Sequence, residues 1–283
     1  MMRILFSIFM LMNTSVLFAK KLPENHAING GVTIIPLDIN QKPTAYFNNK
    51  RVPVIKSDKK NQWLLVVGVP LDNKQNILQL NMTKPTTSTI PFHASTALYK
   101  TQYLSIANKR KVEPNPNDLK RIAKEEEKRK TILEKYTDRN PFTENFIAPS
   151  NGRLSSQFGL KRVYNKKPRA PHSGLDVATP AGKPVLATAS GHVVEAAPYF
   201  FTGNTVIIDH GMGVFSLYAH LDKMQVKPGE PIKQGKPVGT IGKTGRVTGP
   251  HLHWSMYINQ TLVNPLLFVS ADKVIKTRLK NAR

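Results

Sequence analysis

The sequence of 283 residues contains no cysteine, which excludes disulfide bonds, lipid attachment to cysteine and thiolate metal ligands. Any metal site must therefore be built from His, Asp or Glu side chains. Acidic residues are also scarce, because 18 Asp and Glu stand against 41 Lys and Arg, for a formal net charge of +23. A charge of this sign predicts attraction to an anionic polymer.

The sequence also lacks an uninterrupted apolar run of about 20 residues, the length that a membrane-spanning helix needs. The apolar stretch near the start follows Arg3, is interrupted by polar residues at 13–15 and ends at Ala19 before two lysines. This pattern predicts a signal peptide over residues 1–19 and an exported protein of the periplasm or cell envelope. The alternative is an uncleaved membrane anchor.

The basic residues are scattered along the chain and are not interleaved with aromatic residues. This distribution, together with export, argues against nucleic acid as a partner and favours an anionic wall polymer. The charge also allows transient contact with a membrane surface. The alternative is a basic surface that serves only solubility.

Residues 20–104 contain short runs of β-branched and aromatic residues separated by turn sequences rich in Asn, Asp and Lys. Such spacing predicts an N-terminal domain resembling a small β-sandwich. No catalytic constellation is visible in this part of the chain. The lone His26 and His93 are interpreted as surface or packing residues.

Residues 105–139 change in character and predict a charged helical linker. Asn117 or Asp118 could cap a helix that follows Pro116, and residues 124–130 are all charged. We expect a largely solvated helix that joins two domains. The alternative is a regulatory helix that lies over the functional site.

Residues 140–272 are again β-like and are punctuated by Gly and Pro, whereas the basic residues 273–283 predict a loose tail. The whole chain is therefore predicted to be mainly β. The strands predicted in the C-terminal domain are Val185 to Ala189, His192 to Ala196, Thr205 to Asp209, Val214 to His220 and Leu252 to Ile258.

Histidines occupy the polar faces of candidate strands in this domain. His251 and His253 stand two apart, so they share one face of a strand whose other face is apolar. In an extended chain His172 and Asp176 also share a face. These residue types suggest a metal or acid–base site.

A third segment places Tyr218 and His220 on one strand face. A hydrolytic zinc site needs three protein ligands and one open position, which two imidazoles and one carboxylate can supply without thiols. The histidines outside the ligand set could then move protons or hold an oxyanion, since the ordinary pKa of histidine is about 6.5.

Several motifs occur together in an order that resembles the lysostaphin-like zinc metallopeptidases of peptidase family M23, with their LytM-type domain. The motifs are Phe158-Gly159, His172-Ser173-Gly174-Leu175-Asp176, His210-Gly211-Met212-Gly213, Tyr218-Ala219-His220-Leu221, Gly245, Gly249 and His251-Leu252-His253-Trp254. The resemblance covers roughly residues 145–270. It implies a compact antiparallel β domain with an open groove, acting on peptide crosslinks or stem peptides of peptidoglycan.

The resemblance also implies a role for each candidate site residue. His172, Asp176 and His253 would be the ligands of one Zn²⁺ per chain, and His220 and His251 would be catalytic.

Two further positions match the motifs. His210 is predicted to be structural, and Tyr218 is a further candidate for holding the oxyanion.

The sequence thus predicts a monomeric zinc endopeptidase that acts on peptidoglycan, and regulation by a protein partner is left open. One alternative is a non-catalytic LytM-type activator of other wall hydrolases. Another is a biotinyl or lipoyl carrier domain, because residues 226–239 resemble its hairpins and Lys243 could be a modified lysine.

Overall fold

The structure is a computed structural model that describes residues 22–269, and most of these residues lie in strands or their connections. The mainly β fold class is confirmed. The signal peptide predicted at residues 1–19 and the tail predicted at 273–283 lie outside the described residues. No helix in residues 22–269 has the length and apolar character required to cross a bilayer.

Seven strands form two small antiparallel sheets in the N-terminal part. The strands are β1 (Val32–Asp38), β2 (Thr44–Phe47), β3 (Lys50–Arg51), β4 (Val54–Lys56), β5 (Gln62–Gly68), β6 (Ile77–Lys84) and β7 (Ser88–His93). One sheet has the order β1-β5-β4 and the other β3-β2-β6-β7. Leu78 and Leu80 alternate with exposed residues on β6 and pack with Phe47, Leu65 and Phe92 in one apolar cluster.

In this part the sequence predicts strands at 32–35, 45–47, 52–55, 63–69 and 77–80, and β7 is not among them. It contains Pro91, which removes one backbone donor and lowers the strand signal. The structure accommodates this proline because β7 is the last strand in the order of its sheet.

The connecting segment contains strand β8 (Thr101–Leu104), a short 3₁₀ helix (Lys109–Lys111) and helix α1 (Pro116–Leu133). The N-cap of α1 is Asn115, and the prediction of Asn117 or Asp118 as the cap is wrong. Asn115 accepts a hydrogen bond from the Asp118 backbone N–H while the Asp118 side chain accepts one from the Asn115 N–H. Proline then occupies the first helical position, where its missing N–H costs nothing.

Helix α1 carries many exposed charged residues, but it also packs on the C-terminal part of the chain. Arg121 donates to the carbonyl oxygen of Pro198, and Lys128 forms an ion pair with the buried Glu195. At its C-terminal end, Ile132 and Leu133 are buried in an apolar cluster of the large sheet. The linker helix is therefore held against the domain that follows it.

The C-terminal part is built on a ten-stranded sheet and a smaller sheet beside it. Its strands are β9 (Arg153–Ser156), β10 (Lys161–Tyr164), β11 (Lys167–Arg169), β12 (Leu175–Ala178), β13 (Pro184–Leu186), β14 (Gly191–Tyr199), β15 (Gly203–Gly211), β16 (Val214–Met224), β17 (Pro231–Ile232), β18 (Pro237–Ile241), β19 (Leu252–Ile258) and β20 (Thr261–Val263). The main path of the large sheet is β17-β14-β15-β16-β19-β12-β9. A 3₁₀ helix (Pro265–Phe268) follows β20.

The N-terminal and C-terminal parts share interactions. Val32 and Val66 belong to the same apolar cluster as Trp254, and the Gly68 N–H donates to Asn259 Oδ1 at 2.8 Å. Strand β8 pairs in parallel with β10, so the segment after the N-terminal sheets forms one wall of the region described below. The domain boundaries drawn from the sequence stay a prediction.

Candidate metal centre and active site

The structure brings His172, Asp176 and His253 together. Strands β12 and β19 are antiparallel neighbours, and their register places Asp176 directly opposite His253. The Oδ1 atom of Asp176 lies 2.9 Å from His172 Nε2 and 2.9 Å from His253 Nδ1, and these two nitrogens are 3.0 Å apart. All three side chains are buried.

The donor atoms of these residues fit a metal ion. Two ring nitrogens face the same carboxylate oxygen and also face each other, an arrangement that a cation between them would satisfy. Two imidazoles and one carboxylate are ligands that zinc accepts, and three protein ligands leave one coordination position open. The group is formed by His172, Asp176 and His253.

The surroundings of Asp176 and His253 favour an ionised carboxylate and a neutral imidazole, which are the forms that bind metal ions. Burial opposes ionisation of Asp176, but the adjacent ring nitrogens of His172 and His253 outweigh burial and hold the pKa of this carboxyl well below its usual range. Burial lowers the pKa of His253, against the raising effect of Asp176, so the imidazole is neutral near pH 7. Metal binding requires an ionised carboxylate and neutral histidines.

The second oxygen of Asp176 is held by a residue that the sequence did not indicate. Arg162 on β10 is buried, and its Nη2 donates to Asp176 Oδ2 at 3.0 Å and to Ser156 Oγ at 3.0 Å. Ser156 Oγ in turn donates to Gln102 Oε1 on β8 at 3.0 Å. Arg162 therefore leaves only the Oδ1 atom of Asp176 directed at the two histidines.

The two histidines of the group are oriented by hydrogen bonds at their other ring nitrogens. His172 Nδ1 lies 2.6 Å from the carbonyl oxygen of Gln157, which can only accept, so Nδ1 carries a proton and Nε2 is free to bind a metal. His253 Nε2 lies 3.0 Å from Ser255 Oγ, two residues along the same strand face. Such contacts fix the orientation of both rings.

Gly174 permits the close approach of β12 to β19. A Cβ atom at this position would lie 2.3 Å from the carbonyl oxygen of Trp254 and 2.9 Å from His253 Nε2. A real Cβ atom does not approach backbone oxygen this closely. Any larger residue would therefore push the strand that carries His253 away from Asp176.

His220 and His251 lie beside the group. Their ring centroids are 4.8 Å apart, and the His220 ring centroid is 5.9 Å from that of His253. His220 Nδ1 lies 2.8 Å from the carbonyl oxygen of Thr244, and His251 Nδ1 lies 2.8 Å from that of Gly249. Because a carbonyl only accepts, Nδ1 carries the proton and Nε2 keeps a lone pair in each neutral ring.

The environment of His220 holds it neutral. Burial lowers its pKa well below the usual value for histidine, and the neighbouring His251 and His253 act in the same direction. The carbonyl of Thr244 and the carboxylate of Asp176 offset only part of this effect. A neutral imidazole near pH 7 can act as a base.

Tyr218 and His220 do not share a face, contrary to the alternation predicted from the sequence. His220 has a positive φ of 63°, and the register between β15 and β16 shifts between Val206 and Asn204. This irregularity in the strand turns His220 towards the site. The Tyr218 hydroxyl is buried in the core, where it accepts the backbone N–H of Thr188 at 2.8 Å.

His210 lies away from the candidate metal centre and is buried. Its Nδ1 lies 2.9 Å from the carbonyl oxygen of Ser190, and its Nε2 lies 2.7 Å from Ser216 Oγ. Burial lowers its pKa to about 4, against the raising effect of the Ser190 carbonyl. These contacts agree with the structural role predicted for it.

The candidate site opens into a cavity of about 1210 Å³. The four histidines of the site and Asp176 line it, and so do Leu119 and Ile122 of helix α1. A cavity of this size can hold an extended peptide as well as a small molecule.

Comparison with known families and proteins agrees with this architecture. Residues 170–265 match the model of Peptidase family M23, and residues 25–97 match the Peptidase family M23 N-terminal domain. The first match spans all five candidate site residues. It also spans residues 226–239, so the interpretation of that stretch as a carrier domain is wrong.

The curated relatives match less than half of this chain. The peptidoglycan DD-endopeptidase ShyA of Vibrio cholerae is 41% identical over 118 residues, which are 41% of this chain and 27% of that protein. The DD-carboxypeptidase/endopeptidase Mpg of Neisseria meningitidis is 40% identical over 114 residues, which are 40% of this chain and 26% of that protein. The match thus spans about a quarter of the length of these relatives.

One solved structure matches nearly the whole chain. It comes from Pseudomonas aeruginosa, carries the name peptidase M23, and superimposes with a TM-score of 0.72 at 33% sequence identity. The superposition covers 86% of this chain and 95% of that one, so both the N-terminal sheets and the C-terminal domain are included. The chain therefore belongs to peptidase family M23.

Proposed function

We propose that the protein is a zinc-dependent endopeptidase that hydrolyses peptide crosslinks or stem peptides of peptidoglycan. The observation that carries this proposal is the convergence of His172, Asp176 and His253 in the wall of an open cavity that also contains His220 and His251. The membership in a peptidase family supports the same reaction class.

His172, Asp176 and His253 would hold the zinc ion. A zinc ion with an open coordination position polarises a carbonyl and lowers the pKa of a bound water to about 7. Arg162 would keep the carboxylate of Asp176 oriented by binding its second oxygen. The buried position of the three ligands limits competition from bulk water.

His220 and His251 would move protons and stabilise charge during hydrolysis. Because burial keeps His220 neutral and its Nδ1 is bound to a carbonyl, its Nε2 can accept a proton and return it to the leaving amine. His251 lies next to this ring, and once its Nε2 carries a proton it would donate a hydrogen bond to the oxyanion of the tetrahedral intermediate.

Peptidoglycan is the proposed substrate for two reasons. Two curated relatives that match about 40% of this chain are named for peptidoglycan DD-endopeptidase and DD-carboxypeptidase/endopeptidase activities. The net charge of +23 would also concentrate the protein near an anionic wall polymer, and added salt would weaken this effect.

Export to the periplasm or cell envelope follows from this substrate and from the sequence pattern of residues 1–19. We also propose a monomer with an N-terminal β domain (20–104), a helical linker (105–139) and a peptidase domain (140–272). The alternative of a non-catalytic activator is not favoured, since all three proposed ligands and both proposed catalytic histidines are present.

The test is digestion of purified sacculi with and without a chelator, with mass spectrometry of the released fragments. We expect fragments separated at a peptide bond, loss of release with the chelator and its return with added zinc. Absence of cleavage by the zinc-loaded protein, combined with stimulation of a separate wall amidase, would instead establish the activator.

A further inference from the structure

Arg246 lies in the wall of the same cavity as His220 and His251. The central guanidinium carbon of Arg246 is 4.3 Å from the ring centroid of Phe201 and 4.6 Å from that of Tyr164. No Asp or Glu carboxylate of residues 22–269 lies within 4.0 Å of this guanidinium. Arg246 is thus a partly buried cation packed against aromatic rings without an acidic partner in the described part of the chain.

The backbone connects Arg246 to the catalytic histidines. The Arg246 N–H donates to the carbonyl oxygen of Phe201 at 2.8 Å, and Thr244, two residues earlier, supplies the carbonyl bound by His220 Nδ1. Gly245 between them has a positive φ of 80°, and a Cβ there would lie 2.4 Å from the Phe201 carbonyl oxygen. The loop that orients His220 therefore also fixes the position of Arg246.

The charges around Arg246 leave the cavity wall positive. Burial lowers the pKa of Arg246, Tyr164 offsets part of this effect, and the nearby cations Arg169 and Arg162 lower it further. Arg162 is already paired with Asp176, and Arg169 donates to backbone carbonyls. Three guanidiniums therefore lie in this wall, and the carboxylate that pairs with one of them, Asp176, belongs to the candidate metal centre.

Buried or half-buried charges in proteins are normally paired, so this wall lacks an anion. The guanidinium of arginine matches a carboxylate with two parallel hydrogen bonds, and its stacking on aromatic rings preorganises it for that contact. Carboxylates are also the anionic groups of a peptide. The two-donor geometry of the Arg246 guanidinium and its unpaired charge thus both favour a carboxylate ligand.

We propose that Arg246 binds a free carboxylate of the peptide substrate and makes the enzyme select peptides that carry one near the cleaved bond. This inference rests on the proposed function, because it assigns a substrate-binding role within the same cavity. Arg246 would be a specificity-determining residue, whereas the chemical step would remain with His220 and His251.

The test compares two forms of one substrate. Crosslinked muropeptide dimers are purified, and half of the preparation is converted with carbodiimide and ammonium chloride to the carboxamide, which keeps the size of the group but removes its charge. For the zinc-loaded wild type, we expect kcat/KM to be about ten- to one-hundredfold higher for the carboxylate form. The variant Arg246→Gln should cleave both forms at similar rates.

Two further variants sharpen the comparison. Arg246→Lys keeps the positive charge but loses the two-donor fork, so an intermediate preference is expected. Arg153→Gln is the matched control, because Arg153 lines the same cavity on β9 but is exposed. It should keep the full wild-type preference. Circular dichroism and Tm of each variant establish that it is folded.

An Arg246→Gln protein that keeps the wild-type preference for the carboxylate form would overturn the inference, and so would an equal loss of preference in Arg153→Gln. Equilibrium binding of both dimers to the zinc-free proteins, measured by calorimetry, reports the same preference without cleavage. If the wild type binds the carboxylate dimer more tightly, Arg246→Gln loses this preference and neither form is cleaved, the proposed function is wrong and the role of Arg246 in binding still stands.

Discussion

Replacement of Arg162 by methionine should destabilise the protein and weaken its affinity for zinc. Arg162 is 5% exposed and donates to Asp176 Oδ2 at 3.0 Å, while Asp176 is 8% exposed. Methionine fills a similar volume but removes the cation, so the ionised carboxylate loses its one fully charged partner. Removing one member of a buried ion pair costs about 3–5 kcal/mol, because the other charge remains buried.

The size of the effect can be read from the Tm of the chelator-treated protein. For a chain of this length, a loss of about 3–5 kcal/mol corresponds to a fall of roughly 6–20 °C in Tm. Zinc affinity, measured by competition with a chromophoric chelator, should fall by about 10- to 100-fold, because Asp176 is no longer held in place. Relative to the wild type, Arg162→Met should therefore lose less activity at saturating zinc than at limiting zinc.

Two controls separate charge from packing. Arg162→Lys keeps a cation near Asp176 and should recover part of both losses, but it cannot reproduce the two hydrogen bonds that Nη2 makes with Asp176 and Ser156. Arg153→Met, at an exposed position on β9, should leave both quantities unchanged. An Arg162→Met protein with wild-type Tm and wild-type zinc affinity would refute the positioning role.

Other substitutions test the remaining parts of the site and the core. His253→Ala should abolish stoichiometric zinc binding and activity, whereas His220→Ala should retain zinc, measured by atomic absorption, and lose activity by about 10²–10⁴-fold. Full turnover in His220→Ala would remove it from the proposed reaction. Gly174→Ala should lower both Tm and zinc affinity, because its Cβ would lie 2.3 Å from the Trp254 carbonyl oxygen; unchanged values would show that the strand can move at no cost. Burial lowers the pKa of His210 to about 4, so below pH 6.5 the unfolded chain takes up a proton that the native state does not. His210 should therefore leave the free energy of unfolding of the wild type unaffected above pH 6.5 and lower it by up to roughly 3 kcal/mol towards pH 4. Urea unfolding of His210→Gln should show a smaller fall over the same pH range.

The strands that carry the strongest sequence pattern were predicted well. Leu252 to Ile258 was predicted as a strand with these bounds, and β19 has the same bounds. Its apolar residues enter one cluster, Trp254 among them, while Tyr257 on the other face enters a second cluster. Alternation with period two, in a segment rich in β-branched and aromatic residues, is a local property that the sequence expresses directly.

The contacts that orient the ligands could not be predicted in this way. Strand β10 consists of Lys161, Arg162, Val163 and Tyr164, and it is not among the strands predicted from the sequence. It pairs with β11 in a local hairpin and in parallel with β8, about 60 positions earlier in the chain, and no local pattern encodes the second partner. The hydrogen bond from Arg162 to Asp176 depends on this pairing.

The position of His220 depends on a similar non-local cause. Strict alternation would have placed His220 on the face of Tyr218, which points into the core. The left-handed backbone at His220 and the shifted register opposite Val206 reverse this expectation. A non-glycine residue with positive φ is energetically unfavourable, and it persists only where surrounding contacts hold it, here the backbone hydrogen bond from His220 N–H to Thr202 O and the contact of its ring with Thr244 O. An irregular residue at a candidate functional site is thus where a prediction from regular periodicity is expected to fail, because the proposed chemistry requires a side-chain direction that a regular strand does not provide.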